Sequence, residues 1–460
     1  MTKESDMIDF TNKKILIAGA GKSGIAAAKL LSESHAAITI YDANAKNLLT
    51  GDSVREKLGD GFDGRIVLGG DPLEFMERPD YCILSPGVPI DLPFVTAFKE
   101  AGVKVIGEIE LGFCFSKGRI VAVTGTNGKT TTTALTGHIL ERAFGNTIIA
   151  GNIGIPYTEQ VKKTDESSYT VAEVSSFQLD TTDSFRPDVS MILNITPDHL
   201  DRHHTMENYI NAKFKVTRNQ YAGDICVLNY EDEILRERAK GLMPKVVWFS
   251  SKRELDDGLF VKDGRIVLAE HGTITPICDT DKLKIIGEHN HENAMAAIAC
   301  ALFFKVPLDV LREALYSFEP VEHRIEFVKT VNGVKYYNDS KGTNPDASIK
   351  AVNAMTTQTY LIGGGYDKNS EYDEWIESFG GKIKCLLLMG QTREKIAACA
   401  EKHGFKNYRF VESMEEAVSY CAEHAQPGET VLLSPCCASW GMFKDYEERG
   451  RIFKDLVRAL

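Results

Sequence analysis

One run constrains this chain more than any other: Ile120-Val121-Ala122-Val123-Thr124-Gly125-Thr126-Asn127-Gly128-Lys129-Thr130-Thr131. A β-branched apolar segment ends in a glycine turn. Lys and Thr then open a helical pattern carried by Ala134, Leu135, His138 and Ile139. Strand, loop and helix in that order crowd backbone N–H groups and a helix N-terminus around phosphate oxygens. Gly125, Thr126, Asn127, Gly128, Lys129, Thr130 and Thr131 are therefore the candidate triphosphate contacts. Lys129 is placed to reach the terminal phosphates, and the Thr130 hydroxyl to ligate Mg²⁺. Val123 stands where the usual spacing has its first glycine, so the loop is a shortened one. The plain alternative is a glycine turn that only joins strand to helix.

A chain of 460 residues has room for about three domains. Its net charge of -12 argues against nonspecific nucleic-acid binding and against anionic membranes. A polyanionic substrate would need lysines and arginines gathered locally. The 10 cysteines show no CxxC pattern, and free thiols in a reducing cytosol fit them. Residues 1–9 are polar and acidic, unlike a signal peptide, and no apolar run approaches membrane-spanning length. A cytoplasmic location without membrane insertion is expected.

In chain order, Lys14-Ile15-Leu16-Ile17-Ala18 reads as a buried strand, then Gly19-Ala20-Gly21-Lys22-Ser23-Gly24 and a helix through 26–31. A second strand over 37–41 ends at Asp42. The spacing matches the dinucleotide fingerprint, and alone it would say NAD binding. Further strands are expected over 80–84, before Ser85-Pro86-Gly87, and over 103–108. The phosphate loop opens a second region, with strands at 147–150, 169–176 and 189–193. Glu173 sits near the end of an apolar strand, where open α/β sheets bind ligands. A buried acid is seldom left unpaired, and a metal ligand is favoured over a structural ion pair. A hairpin is expected over 260–268 with an Asp-Gly turn, and another over 327–337 turning at Asn332-Gly333. His289 and His291 read as loop residues at the start of an Ala-rich helix rather than zinc ligands. Strands at 359–364, 384–389 and 430–433 alternate with helices, which implies another doubly wound sheet. The Gly363–Gly365 loop lacks Gly-Lys-Thr and reads as a substrate turn.

These residues carry a family resemblance. Gly125 to Thr131, Gly151-Asn152-Ile153-Gly154, Glu173-Val174-Ser175-Ser176, Asn194-Ile195-Thr196-Pro197-Asp198-His199-Leu200-Asp201 and Glu322-His323-Arg324 resemble the Mur ligase superfamily, which makes amide bonds using ATP. The run Asp339-Ser340-Lys341-Gly342-Thr343-Asn344, and Leu433-Ser434-Pro435 with Ser439, Phe443 and Tyr446, resemble members that add D-glutamate. Relatives that add diamino acids, and folylpolyglutamate synthases, carry Asp-x-Ala-His at the corresponding place. The resemblance implies an α/β protein of three domains, each a mainly parallel Rossmann-like sheet, the central one of P-loop ATPase type. Residues 1–117 would bind the UDP substrate, 118–323 ATP, and 324–460 D-glutamate. A cytoplasmic monomer is expected.

The implied reaction joins D-glutamate to the alanyl carboxylate of UDP-N-acetylmuramoyl-L-alanine through an acyl phosphate, with ATP as cosubstrate and two Mg²⁺ ions, in peptidoglycan precursor synthesis. Residue by residue, Lys129, His199, Lys213 and Lys341 would be catalytic. Thr130, Glu173, His199 and Lys213 would serve Mg²⁺. Asn290, Asn293, Arg324 and Asp339 would join the phosphate loop around ATP. Gly21, Lys22, Ser23, Asp42, Ser85 and Asn152 would hold the UDP substrate. Thr343, Lys368, Ser439 and Tyr446 would hold D-glutamate, with tyrosine where the family usually has phenylalanine. The fingerprint at Gly19 to Gly24 then becomes a UDP cradle.

Lys213 reads by itself as a solvated helix lysine. The resemblance makes it a carbamylated lysine. Carbon dioxide adds only to a neutral amine, so its pKa must be depressed. His203 and His204 are expected on the surface. Rival readings are another Mur-type amino-acid ligase, an NAD-dependent dehydrogenase resting on Gly19 to Gly24 and Asp42, and a nonenzymatic nucleotide switch.

Overall fold

The structure, a computed structural model, describes residues 8–43, 50–59, 61–152 and 154–460. Ile153 and most of the polar start at 1–9 lie outside the described residues, as does the side chain of Asp201. The chain forms two compact units, Met1–Ile277 with Asn293–Ala314 and Cys278–Glu292 with Leu315–Leu460. The described residues build three sheets.

The first sheet contains β1 (Lys14–Ala18), β2 (Ala37–Asp42), β3 (Arg65–Leu68), β4 (Tyr81–Leu84) and β5 (Lys104–Gly107), in the order β3-β2-β1-β4-β5. All its pairings are parallel. Parallel strands are covered on both faces and so read as continuous apolar runs. Ile15, Leu16, Ile17, Ile40 and Cys82 are fully buried, and each large aliphatic among them stabilises the fold by roughly 1.5–3 kcal/mol. Gly24 fits because a Cβ there would stand 1.8 Å from the Gly19 carbonyl oxygen. That contact requires glycine where helix Lys22–Leu31 crosses the turn after β1. Two readings shift. The expected strand over 103–108 stops at Gly107, because Glu108 opens helix Glu108–Phe115. The edge strand β3, whose run Ile66-Val67-Leu68 is only partly buried, was not expected.

The second sheet contains β6 (Arg119–Thr124), β7 (Thr147–Gly151), β8 (Tyr169–Glu173), β9 (Val189–Ile192), β10 (Ile225–Asn229), β11 (Lys245–Ser250), β12 (Gly258–Lys262), β13 (Arg265–Glu270) and β14 (Thr273–Asp279). Its order is β14-β13-β12-β11-β10-β9-β6-β8-β7. From β7 to β12 the pairings are parallel, and β12 and β13 form the expected antiparallel hairpin, with Asp263 and Gly264 both at positive φ. The strand expected over 169–176 ends at Glu173, because Ser175 caps helix Ser176–Leu179 through the Gln178 N–H. The first two sheets meet within one unit along helix Glu108–Phe115. Glu108 Oε1 accepts from Thr158 N–H and Oγ1 at 2.7 and 2.8 Å. Glu110 accepts from the N–H groups of Asp183, Ser184 and Phe185.

The third sheet contains β15 (Glu326–Val331), β16 (Val334–Asn338), β17 (Thr359–Gly364), β18 (Ile383–Met389), β19 (Tyr408–Phe410) and β20 (Thr430–Leu433), in the order β15-β16-β20-β17-β18-β19. Only the β15–β16 hairpin is antiparallel, turning at Asn332 and Gly333 as expected. In the same unit, His289 and His291 lie in the first turn of helix Glu288–Phe303 rather than in a loop. All 10 cysteines are free thiols.

Candidate active site

The C-terminal ends of three adjacent parallel strands, β8, β6 and β9, deliver Glu173, the phosphate loop and the Asn194–His199 loop to one place. This is where an open α/β sheet presents ligand-binding groups. The loop is folded and braced. Asn127 N–H donates to Asn194 Oδ1 at 2.8 Å, and Asn194 Nδ2 donates back to the Asn127 carbonyl at 3.1 Å. Thr126 Oγ1 donates to the Thr196 carbonyl, accepts from Thr196 N–H at 3.0 Å and lies 3.1 Å from the Tyr209 hydroxyl. Gly128 takes φ +87°, and a Cβ there would sit 2.4 Å from Asn293 Oδ1. The left-handed turn and the close approach of Asn293 both demand glycine. Helix Lys129–Phe144 follows, with Thr130 buried in its first turn. Lys129 Nζ donates to the carbonyls of Gly125 and Thr126 at 2.9 and 2.7 Å.

A cleft of ≈ 300 Å³ brings Lys129, Asn152, His199 and Lys213 together with Asp198, Arg202 and Tyr209. Glu173 is joined to it, since Asn152 Nδ2 donates to Glu173 Oε1 at 2.8 Å. Glu173 is 2 % exposed, and its second oxygen, Oε2, is buried without a hydrogen-bond partner. A buried carboxylate oxygen without a donor is a costly arrangement unless a cation faces it. With the Thr130 hydroxyl, the donors are hard oxygens, the set that suits Mg²⁺. His199 holds φ +54°, a left-handed backbone for a non-glycine residue, and its ring packs edge-on against Phe177 at 4.9 Å. Strain of this kind persists only where surrounding contacts enforce it.

Lys213 is 2 % exposed on helix Met206–Phe214, not on the solvated face. Its Nζ donates to the Gly125 carbonyl at 2.8 Å and lies 4.4 Å from the Tyr209 ring centre. Burial, reinforced by the nearby Lys129 charge, pulls its pKa well below the ordinary lysine value. His203, expected on the surface, is 5 % exposed. It lies 2.9 Å from Ser176 Oγ and stacks on Phe177, because the short helix Leu200–His203 turns it inward. His204 is exposed as expected.

Sequence reasoning passed over Arg202 and Tyr209. Arg202 donates to the carbonyls of Pro86 and Val88 at 3.1 and 3.0 Å and lies 4.0 Å over the Phe177 ring. It thus fastens the loop after β4 beside the cleft. Its one signal was its place just after the Asp198-His199 pair. The expected UDP set does not converge as a group. Asn152 lines the cleft, whereas Gly21 and Lys22 line a separate cavity of ≈ 680 Å³ with Lys29, Lys57 and Lys162. Ser23 stands in the first turn of helix Lys22–Leu31. Asp42 Oδ2 accepts from Ala20 N–H at 2.8 Å, and Ser85 Oγ donates to the Gly19 carbonyl at 3.3 Å.

In the other unit, Asp339 is buried at the end of β16. It accepts from Ser434 Oγ at 2.7 Å and from Ile325 N–H at 3.3 Å. Burial pushes its carboxyl up to about 7, against the pull of Ser434 and Arg324. Lys341 Nζ lies 4.9 Å from the Tyr446 ring centre, and Thr343 N–H donates to the Lys341 carbonyl. Lys368 lies 5.4 Å from the Trp440 ring, next to the buried Ser439. Asn290 is buried and donates to the Ile286 carbonyl at 2.7 Å. Arg449, which the sequence reading missed, forks beneath this region. Its Nε donates to Ser340 Oγ at 3.0 Å, Nη2 to the Ser340 carbonyl at 2.8 Å and Nη1 to the Cys437 carbonyl at 3.2 Å.

Comparison with known proteins covers nearly the whole chain. Residues 13–107 match the Mur ligase MurD-like N-terminal domain, 123–301 the Mur ligase middle domain, and 323–437 the Mur ligase glutamate ligase domain. The UDP-N-acetylmuramoylalanine–D-glutamate ligase of Lachnoclostridium phytofermentans is 55% identical over 453 residues, 98% of this chain and 99% of that one. The ligase of the same name from Lachnospira eligens is 50% identical over 98% of this chain and 100% of its own length. Among solved structures, the UDP-N-acetylmuramate-alanine ligase of Thermotoga maritima superposes with TM-score 0.60 at 18% identity, covering 97% of this chain and 99% of that chain. A MurF ligase of the same organism, in complex with ADP, gives 0.60 at 16%, covering 99% and 97%.

Proposed function

The chain belongs to the Mur ligase family, and we propose that it joins D-glutamate to UDP-N-acetylmuramoyl-L-alanine at the expense of ATP, giving ADP and phosphate. The observation that carries the reading is the single cleft lined by Lys129, Asn152, His199 and Lys213, with the unpaired Glu173 Oε2 alongside. The alanyl carboxylate is a poor acyl donor. Its oxygen attacks the γ-phosphorus, the bond to ADP breaks, and an acyl phosphate results. The amine of D-glutamate then adds to the acyl carbon, phosphate leaves, and the amine gives up a proton.

Two anions must meet in the first step, so local positive charge governs the barrier. Lys129 holds its ammonium at the mouth of the phosphate loop and moves onto the terminal phosphates. Bound Mg²⁺ supplies the remaining charge neutralisation, with Thr130, Glu173, His199 and Lys213 as the residues that would hold it. Burial and the Lys129 charge lower the Lys213 pKa, which favours the neutral amine that carbon dioxide adds to, and a carbamate there would be an anionic ligand. Gly125 to Thr131, Asn290, Asn293, Arg324 and Asp339 form the ATP set. Gly21, Lys22, Ser23, Asp42, Ser85 and Asn152 form the UDP-substrate set. Thr343, Lys368, Ser439 and Tyr446 receive the amino acid, with the catalytic Lys341 nearby. Domain limits at 117/118 and 323/324, a monomer and a cytoplasmic location complete the proposal. Among the described residues no helix is long and apolar enough to cross a membrane.

The test is phosphate release from ATP with Mg²⁺ and UDP-N-acetylmuramoyl-L-alanine. D-Glutamate should drive it, while L-glutamate, meso-diaminopimelate and L-lysine should not. Release driven equally by a diamino acid would assign the chain to another branch of the family.

A further inference from the structure

Helices Asp373–Glu377 and Arg393–Lys402 pack together in the second unit. Asp373 and Glu377 are four residues apart on one, while Cys399 lies on the other and His403, four residues on, caps its C-terminus, so each pair projects to one side. The two faces meet. His403 Nε2 lies 2.8 Å from Asp373 Oδ1, and His403 Nδ1 lies 3.4 Å from Glu377 Oε1. The ligand atoms of Asp373, Cys399 and His403 all fall within 4.8 Å of one another. Nine of the 10 cysteines are buried, and Cys399 alone is partly exposed. None of these residues belongs to the site described above.

We propose that Asp373, Cys399 and His403 bind a zinc ion, with Glu377 orienting the imidazole from behind. A thiolate, an imidazole nitrogen and a carboxylate oxygen make a borderline-soft donor set that selects zinc and rejects Mg²⁺. Zinc takes such donors at about 2.0–2.3 Å, which sets ligand atoms about 3.5 Å apart in a tetrahedron. The three atoms therefore need only small side-chain rotations to close on the metal. Glu377, 3.4 Å from the far ring nitrogen, is placed to close into the carboxylate contact that metal-bound histidines usually have. Binding transfers the Cys399 thiol proton to solvent, and water fills the fourth position. Lys402 Nζ, 2.5 Å from Asp373 Oδ1, is the competing cation. Its side chain is 69% exposed on a flexible stem and withdraws into solvent. The ion would pin the two helices together, independently of the ligase reading.

The test uses the full chain, stripped with chelator and titrated with Co²⁺ and then Zn²⁺ in excess Mg²⁺. One Co²⁺ per chain should bind with a near-ultraviolet sulfur-to-cobalt charge-transfer band. Cys399→Ser should abolish that band and weaken zinc at least 100-fold. Glu377→Gln should keep the band but weaken zinc about 10–100-fold. Zinc should raise the melting temperature of the wild type and not of Cys399→Ser. Both variants should keep a native circular dichroism spectrum and ordinary phosphate release. A cobalt adduct without the thiolate band, or zinc affinity unchanged by Cys399→Ser, overturns the proposal.

Discussion

Glu173→Gln separates what the buried carboxylate does for function from what it does for folding. Glu173 is 2 % exposed, Oε1 is satisfied by the Asn152 amide, and Oε2 meets no donor. Without metal, that buried oxygen has no hydrogen-bond donor. Glutamine keeps the shape and an acceptor for Asn152 while removing the charge. The metal-free variant should therefore gain of the order of 1 kcal/mol. That corresponds to a melting shift of roughly 2–4 °C upward. Magnesium should reverse the ranking. At about 100 times its dissociation constant it should stabilise the wild type by about 2.7 kcal/mol, and it should do little for the variant. Activity should fall by about 10²–10³, the usual consequence of losing one charge-stabilising group. The assays are thermal melts in EDTA and in Mg²⁺, with phosphate release at saturating substrates. The reasoning fails if the variant melts below wild type in EDTA, if Mg²⁺ raises both equally, or if activity stays within twofold.

Three further outcomes follow from the geometry. Lys213→Ala should lose at least about 10²-fold in rate, and short carboxylic acids should restore part of it; full activity in the plain variant would refute the carbamate. Arg202→Met removes the donors to the Pro86 and Val88 carbonyls. A loss of about 1–3 kcal/mol should appear as an increase of about tenfold or more in KM for the UDP substrate, with kcat less affected. Asp339 titrates at about 7 in the fold, above its ordinary 3.8. The native state thus holds its proton after the unfolded chain has lost its own, and stability falls as pH rises from about 4 to 7, then levels. Asp339→Asn lacks this slope, so its unfolding free energy should gain on wild type across that window, by up to about 4 kcal/mol.

The readable parts of the fold were those with one dominant local cause. Strand β6 and its loop combine an apolar run, two glycines and Lys-Thr, and nothing else satisfies that order. The Asn332-Gly333 and Asp263-Gly264 turns were legible because positive φ at both residues leaves few alternatives. Strands β3 and β19 went unread as short edge strands with few buried side chains to set a period, and β10, β11 and β14 also went unread, although the β10 run is fully buried. His203 was misplaced because four residues of helix are too short to show a face. Arg202 and Arg449 escaped for a different reason. Each acts by donating to backbone carbonyls far away in sequence, and carbonyls carry no residue identity to read.

The Gly125 carbonyl oxygen accepts from Lys129 at 2.9 Å and from Lys213 at 2.8 Å. One acceptor thus serves two amines at once, while Lys129 also donates to the Thr126 carbonyl. A triphosphate that draws Lys129 away also removes the charge that disfavours protonated Lys213, while a carbamate on Lys213 surrenders the oxygen to Lys129 alone. On the proposed reading, nucleotide and carbon dioxide occupancy would be linked, and thermodynamic reciprocity would require each to change the other's affinity by the same factor.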